Sequence, residues 1–143
     1  MNGSTARSIA AQRRRALTAS VLASLLALAA GSVASAEPAW RNDPVRRNEG
    51  AVQFELTPRD VAGGRFRVDV VATTHSGDLA GLDLKAATEL RVGGQSLRPV
   101  EAPALRGHHA RGRLEFALER VPDAFEIVIR GVRSMGDATF RWP

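Results

Sequence analysis

The patterning of this chain predicts an all-β fold, an immunoglobulin-like antiparallel sandwich of about seven strands. Three observations carry that prediction. Apolar residues recur with period two: Val52, Phe54 and Leu56 alternate with Gln53 and Glu55, and Phe66, Val68, Val70 and Ala72 with Arg65, Arg67 and Asp69. Turn signals separate these short runs, with no convincing amphipathic helix between them. The part of the chain that follows a leader is about 107 residues long, enough for one domain. A small closed barrel is the alternative architecture.

The first 36 residues have the three parts of a secretory signal peptide. Arg7, Arg13, Arg14 and Arg15 precede an Ala- and Leu-rich stretch over residues 16–30, and Ala34-Ser35-Ala36 offers the small residues read by signal peptidase. Cleavage is expected after Ala36, for export to the periplasm or the cell exterior. An uncleaved membrane anchor is the alternative. The Arg14-Arg15 pair suggests the twin-arginine route only weakly, because Ala16-Leu17-Thr18 poorly matches the hydrophobic part of that motif. The chain contains no cysteine, which excludes a lipobox anchor, disulfides, thiolate chemistry and Cys-based zinc sites. No later apolar stretch is long enough to span a bilayer.

Charge points away from nucleic acid. The chain is formally +5, but the leader holds four of the 20 basic residues and none of the 15 acidic ones. That leaves 16 against 15, a net of +1. These charges alternate in sign, as on a solvated surface, and form no basic patch.

Residues 37–50 carry two prolines and no periodicity, and read as a flexible lead-in with Trp40 able to dock on the domain. The sandwich is expected over residues 51–143. The run Val52, Phe54, Leu56 is its first strand, residues 58–64 a turn, and the run from Phe66 to Ala72 the clearest strand. Residues 79–88 could hold one turn of helix, weakened by Gly81. Leu90 and Val92 lead into Gly93-Gly94, a hairpin signal because both positions tolerate positive φ, and residues 95–100 resume the pattern. Leu114, Phe116 and Leu118 form the next alternation. Phe125, Ile127 and Ile129 follow the Val121-Pro122-Asp123 turn, and Phe140 and Trp142 share one face of a last strand. Core packing is the expectation for that aromatic pair, ahead of an exposed glycan or peptide site.

All three histidines fall in two turn-like motifs, Thr74-His75-Ser76-Gly77-Asp78-Leu79 and Gly107-His108-His109-Ala110-Arg111-Gly112. Histidine is the commonest metal ligand, so one reading is a zinc or copper site built from His75, His108 and His109, with Asp78 or Asp83 as an oxygen ligand. The spacing matches no local ligand motif, and convergence would depend on the fold. The other reading is architectural: Thr, Ser and Asp in a Gly-containing turn bond their own backbone. Met135 is a weak further candidate for a copper site.

The runs F-R-V-D-V-V-A-T-T-H-S-G-D-L-A-G-L-D-L and G-H-H-A-R-G-R-L-E-F, with the closing F-R-W, resemble a family of small exported bacterial proteins of unassigned activity. That family carries T-H-S-x-D-L followed by G-H-H-x-x-G-x-L-x-F. The resemblance implies that Thr74, His75, Ser76, Asp78, Leu79, Gly107, His108, His109 and Gly112 belong to one shared feature.

Enzymatic readings are thin. His75, Ser76 and Asp78 contain the letters of a hydrolase triad but no nucleophile elbow, the Gly-Gly pairs open no helix, and the loop from Asp78 to Asp83 is sparse for calcium. The leading expectation is an exported, non-enzymatic binding module with a transition metal at His75, Asp78, His108 and His109. Second comes a structural or protein-interaction domain of the envelope in which the histidines shape loops. A metal-dependent hydrolase ranks third.

Overall fold

The computed structural model describes residues 37–132 and 136–143. The expected leader and Met135 lie outside the described residues. The chain forms β1 (Val45–Glu49), β2 (Val52–Ala62), β3 (Arg65–Thr74), a 3-10 turn (Leu79–Gly81), α1 (Leu84–Ala87), β4 (Thr88–Val92), β5 (Gln95–Leu97), β6 (His109–Ala117), β7 (Phe125–Val132) and β8 (Gly136–Trp142). They make two antiparallel four-stranded sheets, in the orders β1-β2-β3-β6 and β5-β4-β7-β8. This is an open sandwich and not a closed barrel. An immunoglobulin domain sends its third strand to the second sheet. Here β3 stays beside β2, and the crossing is made by β4 and β5.

Period two explains the core. Inward residues meet across strands: Phe54 lies opposite Ala72, Phe66 opposite Phe116, and Val68 opposite Leu114. In the second sheet Leu90, Ile127 and Phe140 stand in one row. The two inner faces merge into one cluster in which Phe54, Phe66, Phe116 and Phe140 are fully buried. Each such side chain contributes about 1.5–3 kcal/mol by leaving water.

Three expectations change in detail. The lead-in is part of the sandwich: β1 lies within residues 37–50 and pairs with β2 from Val45↔Leu56 to Glu49↔Val52. Trp40 enters the core. The turn expected over 58–64 shrinks to Gly63-Gly64, both at positive φ. β2 runs through Pro58, and its register with β3 shifts between Pro58 and Val61. A bulge there accommodates a residue that cannot donate to the ladder. β5 is also shorter than expected and ends at Leu97.

The outer edge of β6 is covered, because Val100 N–H donates to the Glu115 carbonyl at 2.7 Å and Glu115 N–H to that of Glu101 at 3.0 Å. Such cover blunts edge-to-edge pairing. No helix among the described residues is long and apolar enough to cross a membrane.

One core position is imperfect. The Thr88 hydroxyl is buried with no hydrogen-bond partner among the described residues. Replacing it with the isosteric valine removes an unsatisfied polar group. Thr88→Val is expected to raise stability by about 1 kcal/mol, read as a higher melting temperature.

Candidate functional site

The pairing of β3 with β6 brings the two histidine motifs together. It runs antiparallel from Arg65↔Ala117 to Thr73↔His109, so the end of β3 and the start of β6 share one end of the sheet. Three hydrogen bonds then continue the ladder into the loops. Thr74 N–H donates to the His108 carbonyl at 2.8 Å, Leu79 N–H donates to the Gly107 carbonyl at 3.1 Å, and Gly107 N–H donates to Asp78 Oδ1 at 2.8 Å. The same Oδ1 accepts Ala80 N–H at 2.8 Å as the cap of the 3-10 turn. One carboxylate oxygen thus joins both motifs.

Each remaining residue of the first motif has a local task. Buried Thr74 has its hydroxyl 2.7 Å from the Ser76 carbonyl and 3.0 Å from that of Ala51, and it accepts Ser76 N–H at 3.2 Å. His75 N–H donates to the Ala51 carbonyl at 3.3 Å, which ties the loop to the β1–β2 turn. Gly77 and Gly107 sit at φ +76° and +69°, a region that side chains rarely enter. Ser76 takes part through its main chain and Asp78 through its carboxylate, and among the described residues neither side chain hydrogen-bonds the His75 ring.

The side chains of the three histidines are exposed, and they are not equivalent. His109 opens β6 on its outer face. Its Nδ1 lies 2.8 Å from the Thr73 hydroxyl, and its Nε2 accepts Arg111 Nε–H at 3.2 Å. Arginine only donates, so Nε2 carries the lone pair and Nδ1 the proton that goes to Thr73. A metal at Nε2 would have to displace a guanidinium. Neither the His75 nor the His108 ring makes a hydrogen bond among the described residues.

The oxygen candidates are committed to backbone. Asp78 is held below the usual carboxylate range by the backbone N–H groups of Ala80 and Gly107, with the His108 and Arg106 charges adding to the effect and burial opposing it. Asp83 Oδ1 caps α1 by accepting from Lys85 N–H at 2.9 Å and Ala86 N–H at 3.3 Å. Among the described residues no group of three or more His, Asp or Glu side chains is arranged to hold a metal ion. The structure therefore brings Asp78 to the backbone of the His108 segment, but it does not assemble His75, Asp78, His108 and His109 as a ligand set.

Gly112 does something its place in the sequence did not suggest. Two adjacent histidines on a regular strand point to opposite faces, so their convergence on one ion would need an irregular backbone, which flanking glycines permit. Gly112 instead sits inside the regular strand β6, opposite Val70. A Cβ built there would lie 2.2 Å from Pro103 Cβ and 2.6 Å from its Cγ. The glycine is the seat on which the segment before β6 rests. A glycine within an alternating run is a signal of such close approach.

That segment faces the loop after β3 across a groove of about 360 Å³. Its apolar lining includes Leu82, Leu84, Pro103 and Leu105, with Lys85 and Arg106 beside them. A larger hollow of about 610 Å³ lies by the Gly93-Gly94 turn, next to Arg91 and Arg141. Both arginines there are already paired with Glu126. The closing aromatics belong to the core: Phe140 is fully buried, and Trp142 stacks on Phe125 at 4.8 Å and donates from Nε1 to the Asp43 carbonyl.

Comparison with family models, with characterised proteins and with solved structures yields no match.

Proposed function

We propose that this chain is an exported, non-enzymatic interaction or structural domain of the cell envelope, in which the two histidine motifs lock the loops at one end of a β-sandwich. The observation that supports this reading is the double use of Asp78 Oδ1, which accepts from Ala80 N–H in one motif and Gly107 N–H in the other. A carboxylate spent on two backbone donors is a folding device, and the Thr74 and Leu79 bonds to the second motif act with it. The metal-module reading ranks second and rests on the exposed imidazoles of His75 and His108. Metal-dependent hydrolysis ranks third, because the carboxylates at this end, Asp78 and Asp83, already accept from backbone N–H groups.

The lock and the imidazoles separate experimentally. Asp78→Ala is expected to lower the melting temperature by about 5 °C through loss of its cap and cross-link. The His75→Ala/His108→Ala double variant is expected to stay within about 2 °C of wild type, as exposed substitutions do. The pH dependence has a definite sign. Asp78 has a lower pKa folded than unfolded. Its contribution is complete above the unfolded value of about 3.9 and is lost as pH falls through the folded value. The gap between wild type and Asp78→Ala should therefore be full at pH 6 and should close as pH drops below about 4. Thermal melts in which the histidine pair costs more than Asp78, or in which the gap ignores pH, would remove the lock reading.

A further inference from the structure

The sheet edges are finished differently. The outer edge of β6 is covered by residues 100 and 101, and β5 is three residues long. β8 has seven residues and pairs only with β7 among the described residues. The backbone groups it leaves open follow from the Gly93-Gly94 turn. Both glycines have positive φ, so the hairpin is a two-residue one, closed by hydrogen bonds between Val92 and Gln95. Antiparallel ladders alternate from there. Leu90 turns its backbone groups to β5, Arg91 turns to Glu126 on β7, and Ile127 turns to Phe140 on β8. Thr139 and Arg141 are left pointing out of the sheet, with Asp137 next in the same phase. The Thr139 carbonyl agrees, since it accepts Arg47 Nε–H from outside the β7–β8 ladder.

The side chains on that edge are self-complementary. Asp137, Thr139 and Arg141 alternate with buried Ala138, Phe140 and Trp142, so they share the outer face. When β8 is laid antiparallel against a copy of itself about Thr139, each Asp137 comes opposite the other copy's Arg141. The same register sets open backbone groups against open backbone groups. A shift by one residue would set them against groups already engaged with β7, and a shift by two would lose both charge pairs. Asp137 is 51% exposed and Arg141 70%, so both can meet a partner. Their bonds within the chain leave capacity. Asp137 accepts from Gly131 N–H and lies 3.5 Å from Arg130, while Arg141 spends its Nε–H on Glu126 and keeps its terminal N–H groups.

We propose that two copies of this chain associate edge to edge through β8, in an antiparallel pairing centred on Thr139 that joins two four-stranded sheets into one. The contact uses the same patch on both copies and closes as a two-fold dimer. It adds backbone hydrogen bonds at Thr139 and Arg141, a Thr139 pair on the axis, and an Asp137–Arg141 ion pair on each side of it. The Thr139 carbonyl has a second lone pair for the partner beside the one that Arg47 uses. β1 is the other edge strand of this side, but its outward side chains, Arg46 and Asn48, include no acid to set against a second Arg46. A one-strand contact is at the small end of protein interfaces, so the association is reversible and follows concentration. Neither histidine motif takes part in it.

The test is sedimentation equilibrium of the purified protein over a range of concentrations, with amide hydrogen exchange at both ends of that range. Wild type is expected to pass from monomer to dimer, and exchange at the Thr139 and Arg141 amides to slow as the dimer forms. Asp137→Arg places two cations on each edge and Arg141→Asp two carboxylates, so each variant alone should associate about tenfold more weakly or worse. An equimolar mixture of the two variants restores both ion pairs and should dimerise as wild type does, which separates charge pairing from damage to the fold. A wild type that stays monomeric at every concentration overturns the proposal. A dimer that both variants leave unchanged overturns it too, as does a mixture that associates no better than its components. Slowed exchange at Arg46 and Asn48 in place of β8 would put the contact on the wrong edge and overturn it as well. None of these outcomes bears on the lock, which the Asp78→Ala melts decide.

Discussion

Replacing Trp40 with alanine is expected to destabilise the sandwich by about 3–5 kcal/mol, the range for deleting a large buried aromatic. Trp40 is 2% exposed, far from the ragged lead-in its sequence neighbourhood suggests. Its ring meets Phe66 and Phe125 edge to face, both at 5.4 Å, and so bridges the inner faces of the two sheets. Its Nε1–H donates to the Pro122 carbonyl at 2.7 Å, 82 residues away in sequence. The variant loses the packing, the aromatic pairs and the partner of a carbonyl together. Trp40→Phe keeps part of the packing and should cost roughly half as much. Chemical denaturation of the three proteins tests this. Equal stability of wild type and Trp40→Ala would mean that residues 37–44 are an appendage and not a wall of the core.

Gly112→Ala is the second large effect, expected at about 2–3 kcal/mol and a melting temperature lower by roughly 10 °C or more. The cause is steric and not conformational. The new methyl would overlap the Pro103 ring, whose atoms cannot swing aside as a flexible side chain would. Either β6 shifts or the Pro103 segment lifts away. The double variant Gly112→Ala/Pro103→Gly removes the overlapping ring atoms, so its loss should be smaller than the sum of the two single losses. Additivity in that cycle would mean that the contact has no energetic weight.

The strands with one buried face were legible because their chemistry is periodic. Phe66, Val68, Val70 and Ala72 announce β3, and Leu114 and Phe116 announce β6. β1 was not legible. Val45 and Arg47 face inward, but Arg47 uses its Nε–H to reach the Thr139 carbonyl across the sandwich, so an inward position carries a charged residue. Two prolines and Asn42, at φ +61°, complete the disguise of an ordered segment as a loop. Pro58 misled in the same way, since a proline in a strand pattern normally ends it and here the register shift absorbs it.

The candidate site was half legible. Thr74, Ser76, Gly77 and Asp78 have turn chemistry readable from residue type alone. Their partner at Gly107 was not, because only the β3–β6 pairing across the intervening β4–β5 excursion brings it near. The role of His109 was hidden for a further reason: Thr73 and Arg111, which engage its two ring nitrogens, are ordinary surface residues in the sequence. A histidine beside another histidine invites a metal reading that only the surrounding donors can weigh.

The most direct test of the lock reading is calorimetric titration of the purified, untagged protein with zinc and copper at neutral pH, beside the His108→Ala/His109→Ala variant. If the motifs are architecture, the wild type takes up neither ion stoichiometrically, and the two proteins give the same weak heats. One ion bound tightly per chain and lost in the variant would contradict the account, and would make the histidine end of the sandwich a metal centre.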